Sequence, residues 1–306
     1  MGAYLVRRGL RTAIVLVVAS IAVFYGLRVA PGDPTAGVLS PTVVAEVREA
    51  YRERLGLNQP IWVQYGVYLK NLARGDLGTS IITGKSIGDL LGYYGRNSVV
   101  LGLAAMFLIY AIGLPLGALA AARRNSIVDQ AITGISIAGM GMPNFWLALL
   151  LIFLFASKLH WLPSGGCCEP KQLILPAVVL AAEGVAVTIR MTRSSMLEQL
   201  GLDYVRTHRA KGLSETAVVY GRVFRNALNP LISLAGLRLG WLVGYALIVE
   251  TIFQWPGVGY LLVDAVLRRD YPVAQFFSLL LVTVVVIANL LADIAYGIAD
   301  PRIGHA

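Results

Sequence analysis

The sequence predicts an all-α membrane protein with six transmembrane helices and an external helical region after the first. Three observations carry that expectation. Of 306 residues, 57% are hydrophobic and only 14% charged, whereas soluble domains carry roughly 25% charged residues. Apolar runs long enough to cross a hydrocarbon core of about 30 Å recur along the chain. Basic residues gather at one set of their ends. The net charge of +9 would point to nucleic acid in a soluble chain. Here basic cytoplasmic loops and anionic lipid explain it, and no nucleic acid partner is expected.

Arg7, Arg8 and Arg11 precede an apolar run from Thr12 to Ala30. A cleaved signal would place Arg28 where a small residue is wanted, so residues 1–30 read as a cytoplasmic start and an uncleaved first span. Residues 31–96 form a polar external region. Ser40 and Pro41 suit a helix start, and Val44, Val47, Tyr51 and Leu55 follow at helical spacing up to Gly56. Asn58 and Pro60 open a second helix whose Trp62, Tyr65, Leu69 and Leu72 are expected to form its packing face. Gly84-Lys85-Ser86 invites a phosphate-binding loop, but Thr79 occupies the position where that loop needs glycine. The chain is therefore expected to bind no ATP itself.

Residues 97–298 supply five further spans. Asn97 can cap the second, Asn97–Ala122, in which Gly113 and Gly117 form either a small-xxx-small pair or, with Pro115 between them, a kink. The third, Asp129–Ser157, is interrupted at Gly139-Met140-Gly141-Met142-Pro143, either lining a path, with Met142 a candidate, or forming a packed kink. The fourth, Leu173–Ile189, contains Glu183. Placing a charge there costs about 2.5–3.5 kcal/mol on the lenient scale, so Glu183 is a path candidate or a structural partner, Arg190 being one choice. The fifth, Leu231–Val249, carries Gly236, Gly240 and Gly244 as a seam for a neighbouring helix. Arg238 within it and Glu250 at its outer end are further path candidates, snorkelling to the inner headgroups being the alternative for Arg238. The sixth is Ala274–Ala295, and residues 299–306 form a cytoplasmic tail. With both termini inside, the cytoplasmic segments hold thirteen Lys and Arg against Lys158, Lys171, Arg268 and Arg269 in the two short outer loops, as the positive-inside rule requires. Cys167 and Cys168 match neither a disulfide framework nor a zinc pattern; pairing with each other or with a partner chain is open to them, and an unpaired surface pair is the default expectation. His160, His208 and His305 have no ligand spacing, so no metal site is expected.

The stretch between spans four and five, 190–230, is the most informative. Asp203 can cap a helix over Tyr204–Lys211, Gly212 can end it in the left-handed conformation, and Ser214 with Glu215 can start another. Charge and spacing alone fit a basic loop held against lipid headgroups as well as a docking element. The letters decide between them. Arg206-Thr207-His208-Arg209-Ala210-Lys211-Gly212 resembles the EAA loop of ABC-importer permeases, in the form used by the dipeptide/oligopeptide (peptide/nickel) group. Arg225-Asn226-Ala227-Leu228 with Pro230 resembles its second half. Leu55–Ser80, Glu250–Val273 and Ala299-Asp300-Pro301-Arg302 are similar to other segments of the same family, so the resemblance covers nearly the whole chain.

That resemblance implies the type I ABC-importer permease fold in a bacterial plasma membrane. It implies a homologous second permease subunit, two ATP-binding subunits that hold ATP and Mg, and an extracytoplasmic solute-binding protein. Asp203, Tyr204, Arg206, Thr207, His208, Arg209, Ala210, Lys211, Gly212, Leu213, Arg225 and Asn226 would form the coupling element seated on an ATP-binding subunit, with His208 where the family usually has alanine. Phe253, Trp255, Pro256 and Gly257 would shape an external gate. The solute would be a dipeptide, a longer peptide, a nickel chelate or a haem-like ligand, and the chain itself would catalyse nothing. An ion-coupled carrier using Glu183 and Asp293 is the rival reading. It predicts inverted repeats, and residues 97–190 and 191–299 show none.

Overall fold

The computed structural model describes residues 2–29, 35, 44–54 and 56–299. The side chains at 2–6, 51, 54, 229, 232–239 and 291–299 fall outside that description, as do Ser40, Pro41, Leu55 and the tail from Asp300 onward. Eleven α-helices are described: α1 Gly2–Val29, α2 Ala45–Arg54, α3 Ile61–Ala73, α4 Ile87–Ala122, α5 Ile127–Gly141, α6 Asn144–Leu151, α7 Pro170–Leu200, α8 Asp203–Ala210, α9 Phe224–Ile252, α10 Val258–Arg268 and α11 Tyr271–Ala299. No strand occurs among the described residues. Within them α1, α4, α7 and α11 are long and apolar enough to cross a membrane. α5 together with Asn144–Lys158 is long and apolar enough only as a pair, bent by 105° at its break, the geometry of a broken span or a re-entrant loop. The remaining expected span, 231–249, lies inside α9.

The chain divides into two compact units. The first comprises residues 1–98 and 256–287. Arg28 of α1 is its junction. The guanidinium stacks 3.4 Å over the Phe24 ring and donates to Gln64 Oε1 of α3 at 2.8 Å and Gln275 Oε1 of α11 at 3.1 Å. Such a cation over a ring adds about 0.5–2 kcal/mol, the more so when desolvated. Tyr65 of α3 packs edge-on against Phe24, with ring centroids 5.0 Å apart, and shares a hydrogen bond with Ser20. The packing face of α3 is therefore Ile61, Gln64, Tyr65, Tyr68 and Leu72. The expected face was turned too far: Trp62 is 70% exposed and Leu69 is exposed too. The cause is Gln64 and Tyr68, polar residues with packing partners. The Gly84-Lys85-Ser86 turn is closed by a Thr79–Ser86 bridge, and Asp270 clasps it, accepting from Ser80 Oγ and the Ile81 N–H.

The second unit comprises residues 99–255 and 288–306. Here α7 is central and packs against α5, α6 and α9. Its start is well specified: Pro170 enters the first turn, and Glu169 with Gln172 forms a capping box. The glycine pair of α4 works as expected. A Cβ on Gly113 would lie 2.7 Å from Thr188 Cβ, and one on Gly117 2.6 Å from Thr192 Cβ and 2.7 Å from the Ile189 carbonyl oxygen. α4 and α7 thus approach backbone to side chain, and nothing larger than hydrogen fits between them.

Several expectations need correction. α4 begins ten residues before Asn97, which caps nothing; its side-chain amide donates to the Pro256 carbonyl. The expected interruption of the third span is present, at Met142-Pro143, but the part beyond it is not all α-helix: Ile152–Lys158 is π-helical. Cys167 and Cys168 are joined to each other as a disulfide. Among the described residues nothing lies within 4 Å of where a Cβ on Gly244 of α9 would stand.

The glycine contacts give opposite signs for one kind of substitution. Gly117→Ala should lower the thermal stability of the solubilised complex, since the new methyl meets a backbone carbonyl and overpacking of this kind costs about 1–3 kcal/mol. Gly134→Ala on α5, with nothing within 4 Å, should raise it by about 0.5–1 kcal/mol through helix propensity. Equal shifts for the two would show that α4 and α7 do not meet at Gly117.

Candidate functional site

The 203–226 segment forms an elbow. α8 starts at Asp203 itself, with Leu202 at the N-cap and no side-chain cap. The expected cap by Asp203 is not made. Its carboxylate lies in the first turn, 3.7 Å from Arg206, where it favours the helix dipole instead. The end of α8 is as expected. Gly212 has φ +78°, its N–H donates to the Arg209 carbonyl at 2.9 Å, and the Leu213 N–H donates to the His208 carbonyl at 3.4 Å. These paired bonds close a helix through a left-handed residue, and glycine adopts that conformation without a Cβ penalty.

Ser214 then caps the next helix, accepting from the Ala217 N–H at 3.4 Å. Helical backbone continues from Glu215 through a π-helical turn, Ala217–Val223, into α9. The second helix of the elbow is thus not separate: it is the root of α9. Arg209 forks onto Glu215 at 2.6 and 2.9 Å, tying α8 to that root. The hydrogen-bonded guanidinium holds the Glu215 carboxyl below its ordinary value of 4.5, and the carboxylate raises Arg209 in turn. A depressed carboxyl stabilises above its unfolded pKa, so this tie is complete at neutral pH and is lost as pH falls through the lowered value.

One residue that sequence reasoning passed over holds the elbow down. Val205 is the buried side chain of α8. It joins Met196 of α7, Val218, Val219 and Val223 of the π-helical turn, Ala227 of α9, and Ala118 and Ala121 of α4 in one apolar cluster. Its signal was present: Val205 is the lone aliphatic residue between Asp203 and Ala210. Tyr204 braces the same side, donating to Gln199 Oε1 at 3.0 Å, with His208 edge-on to its ring. Arg206, Thr207, Arg209, Ala210, Lys211, Gly212 and Leu213 remain exposed, as do Arg225 and Asn226 on the first turn of α9. The candidate residues therefore form a basic outer surface over an apolar underside.

A second constellation was also missed. Asp129, 3% exposed, receives Arg193 as a two-pronged fork at 2.6 and 2.8 Å. It also accepts from the Asn125 N–H at 2.9 Å and Thr133 Oγ1 at 3.3 Å. The fork binds α5 to α7 two turns before α7 leads into α8. Both residues sit at span ends, where charge reads as topology rather than as a partner.

Of the remaining candidates, Glu250 and Trp255 are neighbours, the Trp255 N–H donating to the Glu250 carbonyl at 2.9 Å. Glu183 is half-buried on α7, and Arg190 reaches the Met140 sulfur at 3.3 Å. Met142 is exposed at the break. Glu250 is fully buried near the end of α9. The Arg238 and Asp293 side chains lie outside the described residues. Phe253 and Trp255 are buried in the core of the second unit, and the Phe253 carbonyl accepts from the Gly166 N–H of the cysteine loop. In the first unit, Gly257 is the N-cap of α10.

Long apolar helices, one of them sharply broken, and a basic elbow seated on their ends define a multi-span helical membrane protein. The chain belongs to the family of binding-protein-dependent transport system inner membrane components, whose profile matches residues 113–305, with the family's N-terminal membrane-component profile matching residues 1–106. It is 40% identical to the oligopeptide transport system permease protein AppB of Bacillus subtilis (strain 168) over the full length of both chains. It is 41% identical to the di/tripeptide transport system permease protein DppB of Pseudomonas aeruginosa (strain UCBPP-PA14), over 91% of this chain and 92% of that one. It is 37% identical to the glutathione transport system permease protein GsiC of Escherichia coli (strain K12), over 99% of each. Among solved structures, a chain of the inward-facing MetNI methionine ABC transporter matches with a TM-score of 0.57 at 21% identity, covering 69% of this chain and 96% of that one. At that identity the likeness concerns the fold.

The Asp129–Arg193 fork makes a specific stability prediction. Asp129→Ala should destabilise the complex by about 3–5 kcal/mol, because it strands a partly buried guanidinium. Arg193→Lys should also destabilise, since an ammonium cannot reproduce the fork. Replacing both together, Asp129→Leu with Arg193→Met, should recover most of the loss. Thermal denaturation of the purified complex reads all three, and additive losses in the double variant would contradict a direct pair.

Proposed function

We propose that this chain is the transmembrane permease subunit of an ATP-driven importer that carries dipeptides, oligopeptides or related solutes across a bacterial plasma membrane. The observation that supports this most is full-length identity of about 40% to permease proteins named for oligopeptide and dipeptide transport. In this reading, residues 1–30 are the cytoplasmic start and first span, and 31–96 the extracytoplasmic region. Residues 97–298 are the permease core with its coupling loop, and 299–306 the tail, both termini being cytoplasmic. A homologous second permease subunit completes the path, and a solute-binding protein delivers the solute from outside. Two ATP-binding subunits hold ATP and Mg and perform hydrolysis, so this chain is not itself an enzyme.

The elbow supplies the mechanics. Its exposed face, Arg206 to Leu213, seats on an ATP-binding subunit. Its underside, through Val205, grips residues of α4, α7 and α9 at once. When the ATP-binding subunits close, α8 moves as a unit, because Arg209–Glu215 and the Gly212 turn tie it to the root of α9. That motion reaches α7 and α9 together and switches the path between outward- and inward-open forms. ATP must bind the closed arrangement preferentially for the switch to work.

ATP-dependent uptake in proteoliposomes tests this. A complex carrying Gly212→Pro with Arg209→Glu should assemble but lose uptake and transport-stimulated ATP hydrolysis. Proline cannot adopt the φ of +78° at Gly212, its ring being fixed near −65°, and Arg209→Glu faces Glu215 with a like charge. Uptake that needs no ATP and follows a proton gradient would replace this reading with the carboxylate carrier.

A further inference from the structure

One cavity of the second unit plays no part in the mechanics above. It measures about 530 Å³ and lies between α5 and α7, toward the end of α7 that leads into α8. Met140 and Thr133 of α5 line one side, and Val187, Arg190, Met191 and Ser194 of α7 the other, with Ser195 beside them. The four α7 residues recur at spacings of three, one and three, a single helical face. Arg193 also borders the cavity, but its guanidinium is spent on Asp129.

Arg190 is different. Its side chain is exposed, and its hydrogen bond among the described residues runs from Nη1 to the Met140 sulfur, a weak acceptor. Among the described residues no carboxylate lines the cavity or lies within ion-pair distance of Arg190. Arg190 follows directly on the expected span Leu173–Ile189, and a guanidinium at a span end with no carboxylate beside it settles against water, a headgroup or another anion. Ser194 and Ser195, which carry hydroxyl donors, line the same cavity. The Met140 and Met191 thioethers and Val187 form an adaptable apolar wall that accepts side chains of varied shape. The combination fits an oxyanion attached to an apolar body of variable outline. A peptide ending in a free carboxylate has that chemistry, and so does an anionic lipid headgroup.

We propose that this cavity is a binding point on the solute path where Arg190 receives the C-terminal carboxylate of the peptide in transit. The proposal rests on the transport reading above and deepens it: it makes a free carboxylate, rather than a particular side chain, what the permease itself reads. Arg190 is then a specificity-determining residue, with Ser194 beside the bound carboxylate.

The test places a reporter in the cavity. Ser194→Cys is introduced into a complex whose Cys167 and Cys168 are both changed to Ser. It is reconstituted in phosphatidylcholine vesicles and labelled with a water-soluble thiol reagent, with the parent lacking Ser194→Cys as blank. Dialanine should slow labelling and dialanine amide should not. With Arg190→Gln added, protection by dialanine should weaken about tenfold, as expected for losing one hydrogen bond to a charged group; with Arg190→Lys it should largely persist. Equal protection by the acid and the amide would overturn the proposal, and that comparison needs no change at Arg190. Protection produced by adding phosphatidylglycerol to the vesicles, with no effect of peptide, would also overturn it and make the site a lipid headgroup site. ATP-driven dialanine uptake by the unlabelled wild-type complex separates the two levels of the argument. Without uptake the transport reading falls. With uptake but labelling indifferent to peptide, only the carboxylate site falls.

Discussion

The fork between Asp129 and Arg193 is the constraint on which the second unit's geometry depends. A carboxylate that is 3% exposed survives only when its lone pairs are occupied, and here Arg193, Asn125 and Thr133 occupy them. The arrangement fixes α5 and α7 in register, because a fork of two parallel bonds tolerates little sliding. α7 in turn is pressed against α4 by the glycine–threonine contacts at Gly113 and Gly117. These restraints are of different kinds, one electrostatic and directional, the other steric. Together they leave the end of α7 with few ways to move except as a rigid rod carrying its neighbours.

That rigidity is what the elbow needs. α8 is two turns long, too short to hold its shape alone. It borrows structure from what it sits on: one buried valine, a ring braced on Gln199, and an ion pair to the root of α9. In the proposed mechanism its function is to transmit displacement, and a short helix transmits displacement only if its underside does not slip. The three helices that meet Val205 receive one motion because they share one apolar cluster. The π-helical turn at Ala217–Val223 belongs to the same logic. It widens the helix by one residue and brings Val218, Val219 and Val223 inward together, a departure from regular helix that recurs at functional places.

Much of this was legible in the sequence because it is local. Gly212 ends a helix for reasons contained within six residues, and Gly113 with Gly117 announces a close contact by spacing alone. The apolar runs are visible because the bilayer imposes their length. What was illegible depended on residues distant in the chain. Asn97 looks like a cap, and only the Pro256 carbonyl, far along the sequence, shows where its amide goes. The face of α3 was misjudged because Trp62 and Leu69 outrank Gln64 and Tyr68 in hydrophobicity, while the partners on α1 and α11 select the polar pair. Asp129 and Arg193 were hidden for a similar reason. At a span end a charge satisfies the positive-inside rule or a helix dipole, so nothing local marks it as half of a pair.

Arg190 and Arg193 make the point most sharply, since they are the same residue type one turn apart on the same helix. Composition and position assign them one role, as basic residues at the inner end of a span. Their surroundings assign two. Arg193 is saturated by a carboxylate that would otherwise be a buried charge, so its role is to hold α7 against α5. Arg190 meets a thioether and open volume, so its charge remains available to something that enters. Placing both on α7 has a mechanical consequence within the proposed function. A displacement of α7 carries the free cation along with the clamped one, and so changes the cavity at the moment the elbow moves. A carboxylate held at Arg190 would therefore feel the switch directly through the helix that drives it, with no separate relay between the ATP-binding subunits and the solute.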